Sequence, residues 1–327
     1  MTVKGASFSL ILLTVIASGC AEPTAPEALY LTRLQAVLDV SSPAAEEVSA
    51  VEISGVQLPS RRVREVPIPA LQIDVLEFAQ LHRCDLGALV GKRNSTLGRL
   101  QSHSQRLLYE LEWLRVAAAC EDPPMWLEDI VQAKRQALSV AWWNAVVASQ
   151  EFDQAFSTAS LNNQIEVDTQ VLRTLLQMRQ NQMPSNKLEL TLGALNLAGF
   201  GYRQRAWQAQ RAVLTQAARL LRARQKDVCR TGQPTPRMRR LQAVFSNYYL
   251  PLQATMASQS NQDRRWLADL AAWLALEAVS VPAEVLTWHE ALQDEWQAVE
   301  RAAKLHVESW QSLAEECGLS VGQLMLR

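Results

Sequence analysis

From Pro69 onward, apolar residues recur every three to four positions, the spacing of one buried face of an α-helix. Leu71, Val75, Phe78 and Leu81 keep that spacing into Cys84, with a short helix over Asp85–Arg93 after it. Leu107, Leu111, Leu114 and Ala118 repeat it up to Cys120, with Arg106 and Glu110 able to pair on the opposite, outer face. Trp126, Ile130, Ala133 and Ala137 form a stripe running toward Trp142 and Trp143, and Ile165, Val171, Leu172, Leu175 and Leu176 predict a helix over 161–180. Further helices are predicted over Lys187–Val228, Arg237–Ser260, Gln262–Val279 and Pro282–Glu316, the first with Gly193, Gly199 and Gly201 as kinks or close-packing points.

The helix signals agree with this periodicity. Ser102 with Gln105 reads as a capping box, and Asp122-Pro123-Pro124 as an N-cap followed by proline in the first turn. Asn94–Gly98 and Thr231–Pro236 read as turns, and Met183-Pro184-Ser185-Asn186 as a boundary between halves 67–183 and 184–320. Upstream, Glu27–Leu38 is a first helix offering Leu29, Leu31 and Leu34 for burial, closed by Ser41-Ser42-Pro43. Val51–Arg64 has the least helical character and reads as an extended connector, adding at most a short strand, with Arg61, Arg62 and Arg64 exposed. The ten tryptophans suit packing between helices. The fold expected is all-α, an antiparallel multi-helix bundle over 67–320.

The first twenty residues follow a different pattern. Lys4 precedes an apolar run, Phe8–Ile16, too short to span a bilayer, and Ala17-Ser18-Gly19 lead into Cys20. This resembles the signal and lipobox of bacterial lipoproteins, which implies cleavage of residues 1–19 and acylation of Cys20 with chains such as palmitate. Two or more chains give stable membrane anchoring, at roughly 0.8 kcal/mol per buried methylene. The alternative is an ordinary cleaved signal with a cysteine nearby. Residues 20–66 would then carry the anchor, tether, first helix and connector, with the bundle facing the periplasm; Ala21 after Cys20 points to the outer membrane.

An oxidising compartment changes the reading of the other four cysteines, Cys84, Cys120, Cys229 and Cys317. Three pairings are open. The arrangement Cys84–Cys120 with Cys229–Cys317, stapling each half to itself, is favoured; reduced buried thiols are the alternative. The absence of C-x-x-C argues against a thioredoxin motif or zinc ribbon.

Charge is balanced overall, with 32 basic and 33 acidic side chains, so nothing points to nucleic acid. Locally it is not: Arg203–Arg240 holds ten arginines and Lys226 against Asp227, while the last helix is strongly acidic. Either the two segments neutralise each other, or the basic one binds anionic lipid or polymer. Of four histidines, His289-Glu290 begins a zincin pattern, yet Gln293 stands where the second ligand belongs. His82, His103 and His306 complete no set either, no G-x-S-x-G or Walker A loop occurs, and Gly199-Phe200-Gly201 lacks the third glycine of a dinucleotide fingerprint. No cofactor or metal is implied. Arg93, Asn94, Arg106, Tyr109 and Glu110 form the remaining polar group, read as a cleft lining or a buried polar network.

Those residues also carry a likeness. Arg93-Asn94-Ser95-Thr96-Leu97-Gly98, followed by Ser104-Gln105-Arg106-Leu107-Leu108-Tyr109-Glu110, resembles a segment of an uncharacterised family of proteobacterial lipoproteins, domain of unknown function 3080. The resemblance covers most of the mature chain, including the lipobox and the region of Cys84 and Cys120. It implies an address and an architecture but no activity. The leading functional expectation is a non-enzymatic envelope lipoprotein that binds or scaffolds an envelope protein partner. The alternatives are an enzyme acting on envelope material such as peptidoglycan through acids near Arg93, Tyr109 and Glu110, and a binder of anionic lipid or polymer through 203–240.

Overall fold

A computed structural model describes residues 25–40, 55–157, 168–181, 186–230 and 233–324. The expected signal 1–19, Cys20, the Ser41-Ser42-Pro43 break, residues 161–167 and Met183-Pro184-Ser185 lie outside them. Among the described residues the protein is all-α, with one minimal ladder pairing Cys229–Arg230 (β1) with Gln233–Pro234 (β2).

The first helix is α1, Pro26–Leu38, with proline in its first turn. Among its described residues the connector forms no strand: 55–60 is irregular, Arg61–Arg64 is a single turn (α2), and 65–74 is extended without ladder partners. Arg64 is fully buried, not exposed, because Asp153 pairs with its guanidinium and its Cζ lies 5.3 Å from the Phe152 ring centroid. Next come α3 (Val75–Gln80, continued as a 3₁₀ turn to Cys84), α4 (Leu86–Asn94), α5 (Thr96–Arg99) and α6 (His103–Ala118). Then follow α7 (Leu127–Val146), α8 (Gln150–Ala155), α9 (Val171–Asn181) and α10 (Asn186–Asn196). Asp122 does not cap α7, which starts five residues later; Asp122 pairs instead with Arg83 at 3.5 Å.

The stretch expected as one helix from Lys187 breaks at Gly199, whose φ of 72° is the left-handed conformation glycine adopts freely. The chain resumes as α11 (Phe200–Ala223), where a Cβ on Gly201 would lie 2.1 Å from the Ser157 carbonyl oxygen; Gly193 faces open space and packs against nothing. A turn, α12 (Gln225–Val228), leads through the β ladder to α13 (Pro236–Val244) and, after a π turn at Phe245–Tyr249, to α14 (Leu250–Leu274). The chain does not break near Asn261. Pro251 lacks an N–H for the helical ladder, and the π turn just before it absorbs the disturbance. The chain closes with α15 (Ala283–Glu316) and α16 (Val321–Leu324).

The long helices alternate in direction. Arg203 with Asp263 and Gln210 with Gln259 set α11 and α14 antiparallel. Arg211–Glu295, Arg222–Glu308 and the Cys229–Cys317 disulfide, with numbers rising together, set α11 and α15 parallel. The second disulfide joins Cys84 to Cys120.

The largest apolar cluster draws on α7, α9, α10, α14 and α15, and so on both sides of residue 183. Its centre is aromatic: Trp266 stacks on Trp207 at 5.6 Å and on Phe200 at 4.7 Å. The Asp263 carboxylate beside them accepts from Arg203, Trp207 Nε1 and Trp266 Nε1, so the buried acid is itself fully paired. A second cluster seats α1 against α11, α13 and α15 through Tyr30, whose hydroxyl meets His306 Nε2 at 2.7 Å and accepts from Trp310 Nε1 at 3.1 Å. A third, smaller cluster surrounds Cys84 with Leu81, Leu86, Trp113 and Leu127.

Candidate functional site

The first and third clusters share two helices, α6 and α7, and between the clusters lies a cleft of about 1030 Å³. That is at the upper end of small-molecule sites, which span roughly 300–1,000 Å³. One wall is α7, where the stripe Trp126, Ile130, Ala133 and Ala137 continues through Val140 and Ala141. Space exists because alanine recurs at helical spacing where a larger side chain would fill it. The opposite wall is the extended strap 65–73. Its prolines, Pro67 and Pro69, favour extension and carry no N–H to satisfy. The strap is pinned at its start: Val66 N–H donates to Asn144 Oδ1 at 2.9 Å, the Asn144 amide donates back to Val66 O at 2.7 Å, and Trp143 Nε1 donates to Arg64 O at 2.7 Å.

The structure brings together the polar residues Arg93, Asn94, Arg106, Tyr109 and Glu110 along this cleft and adds Lys134. Glu110 is buried, so α6 presents a face rotated from the expected one: Ser104, Leu107, Glu110, Trp113 and Ala117 are inside, while Ala118 is exposed. The burial is possible because each carboxylate oxygen has a cation: Arg106 Nε donates to Oε1 at 2.6 Å, and Lys134 Nζ donates to Oε2 at 2.5 Å. Lys134 also sits over two rings, 4.7 Å from the Trp113 centroid and 5.3 Å from that of Tyr109.

Arg93 is held by the turn that follows α4. Ser95 Oγ accepts from Gly98 N–H at 3.0 Å, which closes α5 onto the end of α4. A Cβ on Gly98 would lie 2.2 Å from the Lys92 carbonyl oxygen, so only glycine fits, and its own carbonyl accepts from Arg93. Asn94 is exposed at the edge, and its carbonyl accepts from Arg99 Nε at 3.0 Å.

Burial, and after it the neighbouring charges, shifts the proton affinities of this group. Burial pulls Lys134 below its ordinary value, with Glu110 opposing and Arg106 and Arg93 adding to the fall. Arg93 is lowered by burial and then by Arg106, and burial pushes Tyr109 up to about 12. The Arg93 Nε and Trp113 Nε1 donors have no acceptor among the described residues, and Trp113 is only 2 % exposed. Trp288 Nε1 shares that condition elsewhere, whereas Trp143, Trp207, Trp266, Trp273 and Trp310 all donate to an acceptor.

Sequence reading missed Lys134 because it sits among ordinary solvent-facing charges; its only signal was its place beside Ala133 on the apolar stripe. The basic segment 203–240 is broken up. Arg203 is buried on Asp263, Arg211 and Arg222 face Glu295 and Glu308 of α15, Arg224 pairs with Asp227, and Arg237 with Asp39. His289 meets Gln293 at 3.3 Å, and among the described residues no group of three or more His, Cys, Asp or Glu is gathered around a metal-sized site. No described helix is long and apolar enough to cross a membrane.

Comparison with known proteins gives one match. The family model described as a protein of unknown function (DUF3080) covers residues 28–321, nearly the whole chain. No curated protein and no solved structure matches it.

Proposed function

The chain belongs to the DUF3080 family, and from that premise we propose that it is a lipid-anchored bacterial envelope protein that holds a ligand in the cleft between α6, α7 and the strap, without chemical turnover. The observation that carries the reading is the Glu110 group. A carboxylate whose two oxygens are each taken by a cation serves to fix Arg106 and Lys134 in place, whereas a general acid needs a proton to give and a free path to a substrate.

The anchor is Cys20, acylated after removal of residues 1–19, with the bundle facing the periplasm from the outer membrane. Only residues 21–25 separate Cys20 from α1. At about 3.3–3.6 Å per residue, that tether keeps the domain within roughly 20 Å of the lipid surface. An envelope protein partner belongs to the same reading, and the exposed Val75, Leu76, Leu97, Leu100 and Met125 give it apolar side chains to meet.

Native mass spectrometry of the protein released from its own membranes in mild detergent tests this. Wild type should carry an added small-molecule mass that Ala137→Trp, with its cleft filled, lacks. Equal spectra from the two forms, or conversion of envelope material by the purified protein, would remove the reading.

A further inference from the structure

Resting on the binding reading above, we propose that the ligand is an acyl amphiphile: a single long apolar chain ending in an anionic head, carboxylate or phosphate, with the head at Arg93, Arg106 and Lys134.

The cleft lining combines two chemistries. Arg93, Arg106 and Lys134 gather around one carboxylate, Glu110, which leaves an excess of two positive charges there; the other two charged lining residues, Arg99 and Glu65, cancel in net charge. Two of the donors there, Arg93 Nε and Trp113 Nε1, are buried and lack acceptors among the described residues. A buried donor left unpaired is costly, and an anionic head beside Arg93, Arg106 and Lys134 would make charge-assisted hydrogen bonds. Electroneutrality and hydrogen bonding therefore point to the same kind of group.

Around the charged group the lining includes Ile73, Leu81, Val90, Ile130 and Val140, with alanines between, beside the polar Gln72, Gln136 and Ser280. A free anion would fill only the charged part of a space this large, and a neutral hydrocarbon would leave the cations uncompensated. Only a molecule that joins the two satisfies both. Leu71 on the strap lines the cleft and is 42 % exposed, and Val75, Leu76 and Met125, close in sequence to the lining residues Ile73 and Trp126, are 83 %, 75 % and 97 % exposed.

The test is titration of the full mature domain with cis-parinaric acid, a long-chain polyene fatty acid whose emission is driven by energy transfer from tryptophans such as Trp113 and Trp126. Saturable binding of one molecule per chain is expected. Displacement by a saturated fatty acid assigns a carboxylate head, and displacement by lysophosphatidic acid a phosphate head. The matching long-chain alcohol should bind at least about tenfold more weakly, the worth of one charge-assisted contact, and inorganic phosphate should not compete. Arg93→Met and Lys134→Met should each lose about tenfold for the acid and little for the alcohol; Ala137→Trp, which leaves every charge in place, should abolish binding of both. The proposal is overturned if acid and alcohol bind equally, if inorganic phosphate competes as well as the amphiphile, if Ala137→Trp binds like wild type, or if no saturable binding is seen. A native ligand without an acyl chain would overturn this assignment while the binding reading stands; an empty cleft in the native protein and no probe binding would end both.

Discussion

Lys134 of α7 donates to the Glu110 carboxylate of α6 across 24 residues of sequence, and the contact ties together the two helices that frame the cleft. Both side chains are nearly buried, at 10 % and 7 % exposure, so each ion depends mainly on the other for its charge.

Removing one partner therefore exposes the cost of the other. Glu110→Ala leaves Lys134 and Arg106 without their carboxylate, and the domain should lose roughly 3 kcal/mol of stability. Glu110→Gln, which keeps one acceptor oxygen, should lose less. Urea unfolding followed by circular dichroism measures both, and an Ala variant as stable as wild type would mean the pair is solvated.

Asp263 is a second such point, since Arg203 and two indole N–H groups depend on it. Asp263→Ala should cost about 3–5 kcal/mol and Asp263→Asn distinctly less. Because the site lies away from the cleft, the Asn variant should retain cis-parinaric acid binding.

His306 gives the fold a pH dependence. Burial pushes it down to about 3, whereas the unfolded chain protonates it near 6.5. Between those values the unfolded state binds the extra proton, so stability falls as pH drops from about 6.5 toward 3, by up to about 1.4 kcal/mol per pH unit; above 6.5 this residue adds no slope. His306→Gln should show a smaller loss than wild type between about pH 7.5 and pH 5, and equal losses in denaturation experiments would show that His306 does not contribute.

The disulfides close segments of 36 and 88 residues. The loop-closure model assigns each about 4 kcal/mol. Their functional effects should diverge. Cys84→Ser with Cys120→Ser loosens the small cluster that supplies Leu81 and Trp113 to the cleft and should weaken probe binding, while Cys229→Ser with Cys317→Ser should lower the melting temperature and leave binding intact.

Periodicity carried the helices and the all-α class, because apolar residues at helical spacing have few other ways to be buried. It fared less well on faces and on breaks. In α6, Leu107, Leu108, Leu111 and Leu114 lie on one side of the helix and predict that face inside; Trp113 and the two-cation shell of Glu110 turn the buried face to one side of it, with Leu107 common to both. Arg64 looked exposed because nothing in the connector announces Asp153, 89 residues away. The polar run around Asn261 looked like a break but lacks glycine and proline, and α14 continues through it. For the cleft, the alanine stripe and the Arg93–Glu110 group were both legible, but their meeting was not, since it depends on how α6 and α7 pack and on a strap with no periodicity.

The most direct measurement is photocrosslinking in the living cell, with a benzophenone amino acid placed at Ile130 in the cleft wall or, as a control, at Leu190 on α10. The account predicts that Ile130 yields the intact chain plus the mass of one acyl-bearing small molecule, while Leu190 does not. Identical adducts at both positions, or only protein adducts at Ile130, would contradict it.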